Sequence, residues 1–143
     1  MSAKPENQFI SSVHKHLPPA LYRLKNHNQY NAGIADVWYS GVNKDLWVEY
    51  KFIVIPKRDS TVIDLVDGKD PSISVLQQEW LKNRNAEGRN VGVIVGSKEG
   101  GVWFPNTSWD FTYTAGQFRE WVDTRQRLAD FINSFVGGPL DLE

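Results

Sequence analysis

The chain has 143 residues and a formal net charge of −1, and 41% of its residues are hydrophobic. This length suits one domain with its own core, and the composition excludes an intrinsically disordered chain. The absence of cysteine excludes a disulfide scaffold, a thiolate zinc site and a cysteine nucleophile. No apolar stretch is long enough to cross a bilayer and no signal peptide opens the chain, so we expect a cytoplasmic protein, compatible with a bacterial or phage origin.

The charges are unevenly distributed along the chain. Residues 1–60 carry eight Lys or Arg against five Asp or Glu, whereas residues 101–143 carry three against six. A basic surface that binds phosphates is therefore more compatible with the first half of the chain than with its acidic last third.

Hydrophobic periodicity predicts a first helix that starts near Pro5 and stops before Pro18. Its apolar residues recur at helical spacing: Phe9, Ile10, Val13 and Leu17. Glu6 lies on the same inward-facing stripe. His14 and His16 do not face each other at this spacing, and we expect both on the surface.

Three segments read as strands. Residues 21–25 alternate weakly, whereas 35–39 and 46–52 are rich in β-branched and aromatic residues. The turn-like linker 40–45 makes the last two a hairpin. Residues 56–71 are charged and contain two prolines, which predicts an exposed loop.

A second helix follows this loop. Ser74 and Gln77 fit a capping box, and Gly88 is a plausible end. The predicted apolar face contains Leu76, Trp80 and Leu81. After it, residues 91–95 read as a buried strand and residues 102–104 as another.

The last predicted element is a long helix over about 114–136, capped by Thr114 and Gln117. The element order is α, β, β, β, α, β, β, α. We therefore expect one α/β domain over residues 1–143, with a mixed central sheet flanked by helices. Its core would span about 5–104 and be followed by the C-terminal helix.

Three charged residues of the hairpin are predicted to converge. If the hairpin is centred between residues 42 and 43, paired positions sum to 85, so Asp36 lies opposite Glu49. Lys51 shares the face of Glu49, because side chains two apart on a strand point the same way. The other face of the strand is apolar, which suits a core: Leu46, Val48, Tyr50 and Phe52.

Two carboxylates this close repel each other, and without a counter-charge the pKa of one would rise sharply. A divalent cation such as Mg²⁺ or Mn²⁺ removes that repulsion, polarises a phosphate and activates water. Lys51 could orient the water or stabilise developing charge. The combination suits hydrolysis of a phosphodiester. The purely structural alternative is that Asp36 caps a strand end and that Glu49 and Lys51 form an exposed ion pair.

These residues resemble a known motif. Asp36, followed after twelve residues by Glu49-Tyr-Lys51, is similar to the signature of the PD-(D/E)xK nuclease superfamily. Gly33-x-x-Asp36, the Glu-x-Lys strand and a helix that opens with Ser74-x-x-Gln77 are most similar to its VRR-NUC branch, which is related to Holliday junction resolvases. The resemblance spans about residues 6–95, and the predicted αβββαβ order is that of the superfamily core. Ala35 departs from the family, which usually has proline there.

The resemblance implies roles for five residues. Asp36 and Glu49 would bind the metal and Lys51 would be catalytic. Gln77 would support the site from the second helix, and Glu6 would add a further carboxylate. A helix-capping role would also explain the presence of Gln77 without any part in the site. A favourable interaction with the positive end of the first helix would likewise explain Glu6.

Four further residues are candidates for substrate binding. Lys57 and Arg58 could contact the DNA backbone from the long loop or could be a solvated pair. Trp38 and Trp47 share the carboxylate face and could line a substrate groove, although tryptophan is more often a core residue.

The sequence therefore predicts a Mg²⁺- or Mn²⁺-dependent DNA endonuclease, selective for branched DNA in the manner of a junction resolvase and working as a homodimer. One alternative is a sequence-specific endonuclease of restriction or homing type, which would need elements that read base edges. Another is a catalytically inactive DNA-binding module with a nuclease fold. A small-molecule phosphohydrolase would require a closed pocket, whereas a nuclease requires an open groove.

Overall fold

The computed structural model describes residues 4–26, 33–67, 69 and 71–139. Its helices are α1 (Pro5–His14), α2 (Val75–Ala86), α3 (Ala115–Trp121) and α4 (Arg125–Val136). Its strands are β1 (Tyr22–Lys25), β2 (Val37–Ser40), β3 (Asp45–Phe52), β4 (Val62–Ile63), β5 (Val91–Ser97), β6 (Gly100–Pro105) and β7 (Tyr113–Thr114). None of the described helices is long and apolar enough to cross a membrane.

Five strands form a mixed sheet in the order β1-β2-β3-β5-β6. The β3–β5 pair is parallel and the other pairs are antiparallel. The parallel connection runs through α2, as a crossover between parallel strands requires. This arrangement confirms the predicted single-domain α/β fold with a mixed sheet and an αβββαβ order, into which the structure inserts the short strand β4.

The hairpin has the predicted register. Val37 pairs with Val48 and Trp38 with Trp47, so paired positions sum to 85. Strand β2 begins at Val37, which leaves Asp36 immediately before it, at the position that the same register places opposite Glu49. The register is strongly specified because a slip of one residue would turn the apolar side chains of β3 away from the core.

The sheet separates two hydrophobic cores. On the rear face, α1 and α4 cover the inward side chains of β2 and β3, including Val37, Leu46 and Val48. On the front face, α2 and α3 cover β5 and β6, burying Leu81 and Phe118 among others. We call this covered part of the front face the closed half.

The front face over β1 and β2 is different, and we call it the open half. Tyr22 and Leu24 of β1 are 52% and 53% exposed, although they lie on the same face as the side chain of Trp38. Strand β3 forms the border between the two halves, because it pairs with β2 on one side and β5 on the other.

The predicted single helix over 114–136 is wrong. The segment forms α3 and α4, separated by extended backbone at Val122. Asp123 then makes a bridge to Gly101 at the start of β6, and Thr124 caps α4 by accepting the N–H of Arg127. The N-cap and the contact with β6 together stop one helix and start the next. The predicted cap at Thr114 and Gln117 is confirmed.

The prediction that residues 56–71 form only an exposed loop is also wrong in part. Strand β4 pairs with β7 in a second, two-stranded sheet, and Ile63 and Leu65 are buried. Arg119 of α3 contacts both Asp59 and the carbonyl of Pro56. The partner residues lie 50 to 63 positions further along the chain, so local composition did not reveal them.

Candidate active site

The predicted charged residues come together at the border between the two halves of the front face. Asp36 enters at the start of β2, while Glu49 and Lys51 project from β3. Gln77 reaches them from the first turn of α2. Glu6 is in the first turn of α1, close enough for its charge to act on Glu49.

Glu49 is the centre of this cluster. It is a buried charged residue at the edge of a hydrophobic core, with only 1% of its surface exposed. Its Oε2 atom accepts a hydrogen bond from Gln77 Nε2 at 2.9 Å and lies 3.5 Å from Lys51 Nζ. Its buried Oε1 atom has no hydrogen-bond donor. Because buried polar atoms are nearly always satisfied, this oxygen is suited to share a proton with Asp36 or to bind a cation.

Asp36 faces Glu49 across the hairpin. Its Oδ2 atom accepts the backbone N–H of Tyr50 at 2.9 Å, which fixes the side chain against β3. The two carboxyl groups interact closely enough for a hydrogen bond between them to affect both pKa values. One proton or one cation can therefore bridge the pair.

The electrostatics of the two carboxyls agree with this geometry. Burial, followed by the charge of Asp36, raises the pKa of Glu49 well above its usual value, and Lys51 only partly opposes this. Burial also raises the pKa of Asp36, against the lowering effects of the Tyr50 amide and Lys51. Without a cation, the pair therefore favours retaining a proton.

Gln77 makes the contacts of a helix cap and also contacts Glu49. Its backbone N–H donates to Ser74 Oγ and its Oε1 accepts from the backbone N–H of Ser74, which completes the capping box. The remaining amide nitrogen donates to Glu49. The cap thus holds the side chain in the orientation that the carboxylate contact needs.

Gly33 of the sequence motif has a backbone reason to be glycine. Its φ of +101° favours glycine, and an added Cβ would lie 2.9 Å from the carbonyl oxygen of Leu76. The segment before Asp36 therefore passes close to the start of α2, which brings Gln77 to the hairpin.

The donor set fits a hard divalent cation. Asp36 and Glu49 supply only oxygen atoms, one of them buried and unpaired, as Mg²⁺ and Mn²⁺ prefer. Among the described residues, no group of three or more His, Asp or Glu side chains is arranged to hold a metal, so Glu6 does not complete a ready-made ligand cluster. Two carboxylates suffice for Mg²⁺ that keeps water and substrate oxygens in its other positions.

The four candidate substrate-binding residues lie in two different places. Trp38 and Trp47 are half-buried on the front face and stack on each other beside the carboxylates. Lys57 and Arg58 are exposed in the turn before β4, and no contact between them and the carboxylate pair is present within the described residues.

Two features escaped the sequence analysis. His14, expected on the surface, is half-buried, and its Nε2 lies 2.7 Å from the hydroxyl of Tyr39. That hydroxyl in turn lies 2.6 Å from the hydroxyl of Tyr50, so a polar chain crosses the rear core behind the site. No sequence pattern signalled it, because the three residues come from three separate elements.

The second feature is Trp80, predicted to share an apolar helix face with Leu76 and Leu81. In the structure Leu76 is exposed, and Trp80 packs against Trp47 on the front face. Here a signal was present: Trp80 lies three residues after Gln77, and positions three apart share one side of a helix.

The fold is similar to that of a solved nuclease, Hjc from Archaeoglobus fulgidus, described as a Holliday junction resolvase from an archaeal hyperthermophile. The two structures have a TM-score of 0.51 and 13% sequence identity, and the match covers 96% of this chain and 100% of the other. At this identity the likeness concerns the fold, and it confirms a resolvase-like mixed α/β architecture. No protein-family model and no curated protein matches the sequence.

Proposed function

We propose that the chain is a Mg²⁺- or Mn²⁺-dependent DNA endonuclease that hydrolyses phosphodiester bonds in branched DNA. The observation that carries the proposal is the buried Glu49 carboxyl, paired with Asp36 and Lys51, with one oxygen that lacks a donor. A structural protein gains nothing from such a pair, because burial and like charge both oppose its ionisation.

Each residue has a role in this proposal. Asp36 and Glu49 would hold the cation, which when bound polarises the phosphate and lowers the pKa of water. Lys51 would donate a hydrogen bond to the attacking water or to a phosphate oxygen. Gln77 would keep Glu49 oriented through its amide, and Glu6 would add negative potential at the mouth of the site.

The surface next to the site is open, which favours a polymeric substrate. An open cleft of about 700 Å³ runs from Glu6 along the end of β3 to the segment around β4, although Asp36, Glu49 and Lys51 do not line it. Its lining has two basic residues, Lys4 and Lys69, which could contact a phosphate backbone, and two acidic residues, Glu6 and Asp64. An open groove is the arrangement expected for a nuclease, whereas a small-molecule phosphohydrolase would enclose its substrate.

The substrate preference rests on the fold and on the motif. The Hjc structure with a similar fold is that of a Holliday junction resolvase. The glycine, Glu-x-Lys and Gln-helix pattern supports a relationship with the VRR-NUC branch. We therefore propose branched DNA as the substrate, acted on in the cytoplasm, and a homodimer as the active form, because two cuts need two sites.

Cleavage of labelled DNA tests the proposal. A four-way junction, a nicked duplex and a linear duplex would be incubated with Mg²⁺, with Mn²⁺ and with chelator. We expect metal-dependent cutting of the junction that is lost in Lys51→Ala. The matched control is Lys15→Ala, which removes an exposed lysine at the C-terminal end of α1, on the rear side of the sheet.

The outcomes separate the alternatives. Cutting of linear duplex at discrete positions would replace the proposal with a sequence-specific endonuclease. Binding of the junction without metal-dependent cutting would favour an inactive nuclease-fold module. Equal cutting by the parent protein and Lys51→Ala would contradict the assigned site.

A further inference from the structure

Three tryptophan side chains form a row beside the carboxylate pair. Trp38 and Trp47 lie opposite each other in the hairpin, with ring centroids 5.8 Å apart and planes inclined by 25°. Trp80 of α2 meets Trp47 edge-on at 5.3 Å. The three are only half-buried and line a cleft of about 550 Å³, which we call the tryptophan cleft.

The charges around the tryptophan cleft are mainly positive. Its lining includes Lys44, Arg84 and Arg89, of which Lys44 has its ammonium group 4.3 Å from the ring centroid of Phe135 on α4, so the two arginines are the cations available to a ligand. The guanidinium of Arg84 lies 6.0 Å from the ring centroid of Trp80, although it also pairs with Glu87. The one acidic side chain in the lining, Asp45, accepts a hydrogen bond from Ser40.

Aromatic planes flanked by cations are what a single-stranded nucleic acid requires. Bases stack on the aromatic rings, and the cations follow the phosphate backbone. The cleft cannot read a base inside an intact duplex, because that base is already stacked between its neighbours and paired. An unpaired or displaced base is therefore the ligand that the half-exposed aromatic surface and the charge of the cleft favour.

The tryptophan cleft lies beside the candidate active site. Trp47 and Glu49 are two residues apart on β3 and project from the same face, which places them roughly 7 Å apart along the strand. A nucleotide whose base occupies the cleft would thus have its neighbouring phosphate close to the carboxylate pair. Base binding and cleavage would involve adjacent positions of one strand.

We propose that the tryptophan cleft binds an unpaired base of the DNA substrate next to the bond that is cut. The inference rests on the proposed function for the position of the cut, whereas base binding itself does not require catalysis. It supplies a physical reason for structure selectivity, because a branch point interrupts the continuous stacking of a duplex and so lowers the cost of displacing a base into the cleft.

Binding measured without cleavage tests the inference. In a Lys51→Ala background with chelator, fluorescence anisotropy would follow a labelled oligothymidylate and a labelled intact duplex. We expect Trp38→Ala to weaken oligothymidylate binding about tenfold, within the range of base–aromatic stacking, and to leave duplex binding nearly unchanged. Trp38→Phe keeps an aromatic plane and should retain most of the affinity.

Trp121→Ala is the matched control, since Trp121 is 37% exposed on α3, beside Phe104 and Phe111. It should leave both affinities unchanged, and thermal unfolding of each variant would verify folding. Unchanged oligothymidylate affinity in folded Trp38→Ala, or equal losses for both DNAs, would overturn the inference. Selective loss without any metal-dependent cutting by the parent protein would uphold base binding and contradict only the proposed catalysis.

Discussion

The front face of the sheet is one surface with two contrasting halves. In the closed half, α2 and α3 cover the strands, and Val93 and Phe104 are buried. In the open half, no described helix packs over Tyr22 and Leu24, which are about half exposed. Glu49 lies on β3, at the border between the covered and the uncovered part of the face. A border of this kind combines burial, which perturbs a carboxyl, with access for a substrate.

The two halves of the front face are expected to contribute to different properties of the protein. Apolar burial is the main source of folding free energy, so the closed half contributes stability. The open half leaves aromatic surface in water, which contributes little to folding and is available for binding. Four predictions test this division and the contacts that support the candidate site, from the largest expected effect to the smallest.

The largest effect should come from the closed half. Phe118 is fully buried and stacks on Tyr113, so Phe118→Ala should lower the free energy of unfolding by about 3–5 kcal/mol. Tyr22→Ala, in the open half, should cost less than about 1 kcal/mol. Denaturant unfolding measures both. Similar losses for the two variants would show that the open half also stabilises the fold.

Titration of His14 should give the next largest effect. Burial, with the charges of Arg23 and Lys25, lowers the pKa of His14 to about 4, and its ring bonds to Tyr39. The unfolded chain takes up this proton near pH 6.5, so the folded state loses stability as the pH falls from 6.5 to 4, by up to roughly 3 kcal/mol. The loss then levels off below the folded pKa.

The variant His14→Gln isolates this contribution from those of the carboxyl groups. Denaturant unfolding at several pH values should show a shallower loss of stability for His14→Gln than for the parent protein between pH 6.5 and 4. Parallel profiles for the two proteins would mean that the rear core tolerates the imidazolium.

At the border between the two halves, a substitution should lower activity without lowering stability. Glu49→Gln keeps the size of the side chain but removes its charge, so metal-dependent cleavage should fall by at least about a hundredfold. The free energy of unfolding, measured with chelator, should stay the same or rise, because a buried like-charge contact with Asp36 disappears. A large loss of stability would show that Glu49 serves the fold rather than the site.

The smallest effect concerns the helix cap. Ser74→Ala removes the capping hydroxyl and should cost about 1 kcal/mol of unfolding free energy, with little change in cleavage per folded molecule. Gln77→Ala removes the contact with Glu49 as well, so cleavage should also fall. Equal cleavage by the two variants would show that Gln77 acts only as a helix-capping residue.

Local patterns predicted the parts of the fold that depend on neighbouring residues. The apolar alternation of β3 and the turn-like linker determined the hairpin register, because a strand has a period of two and a slip would expose the core face. The capping boxes at Ser74 and Thr114 were readable for the same reason, since donor and acceptor lie three residues apart. The meeting of Asp36, Glu49 and Lys51 follows from the register alone.

Contacts between distant segments decided the rest. The break between α3 and α4 depends on the bridge between Asp123 and Gly101, and β4 exists because residues 113–114 pair with it. Composition could not reveal either partner. The burial of His14 likewise depends on Tyr39, which lies 25 residues away in the chain.

The sequence by itself thus predicted the candidate site residues and the hairpin register that places them on one face. Only the tertiary structure decided that this face lies at the border of a covered and an open surface, and that Trp80 joins Trp38 and Trp47 there. The reason is physical: hydrogen-bonded register and helix caps are local, whereas the covering of a sheet depends on where later helices pack.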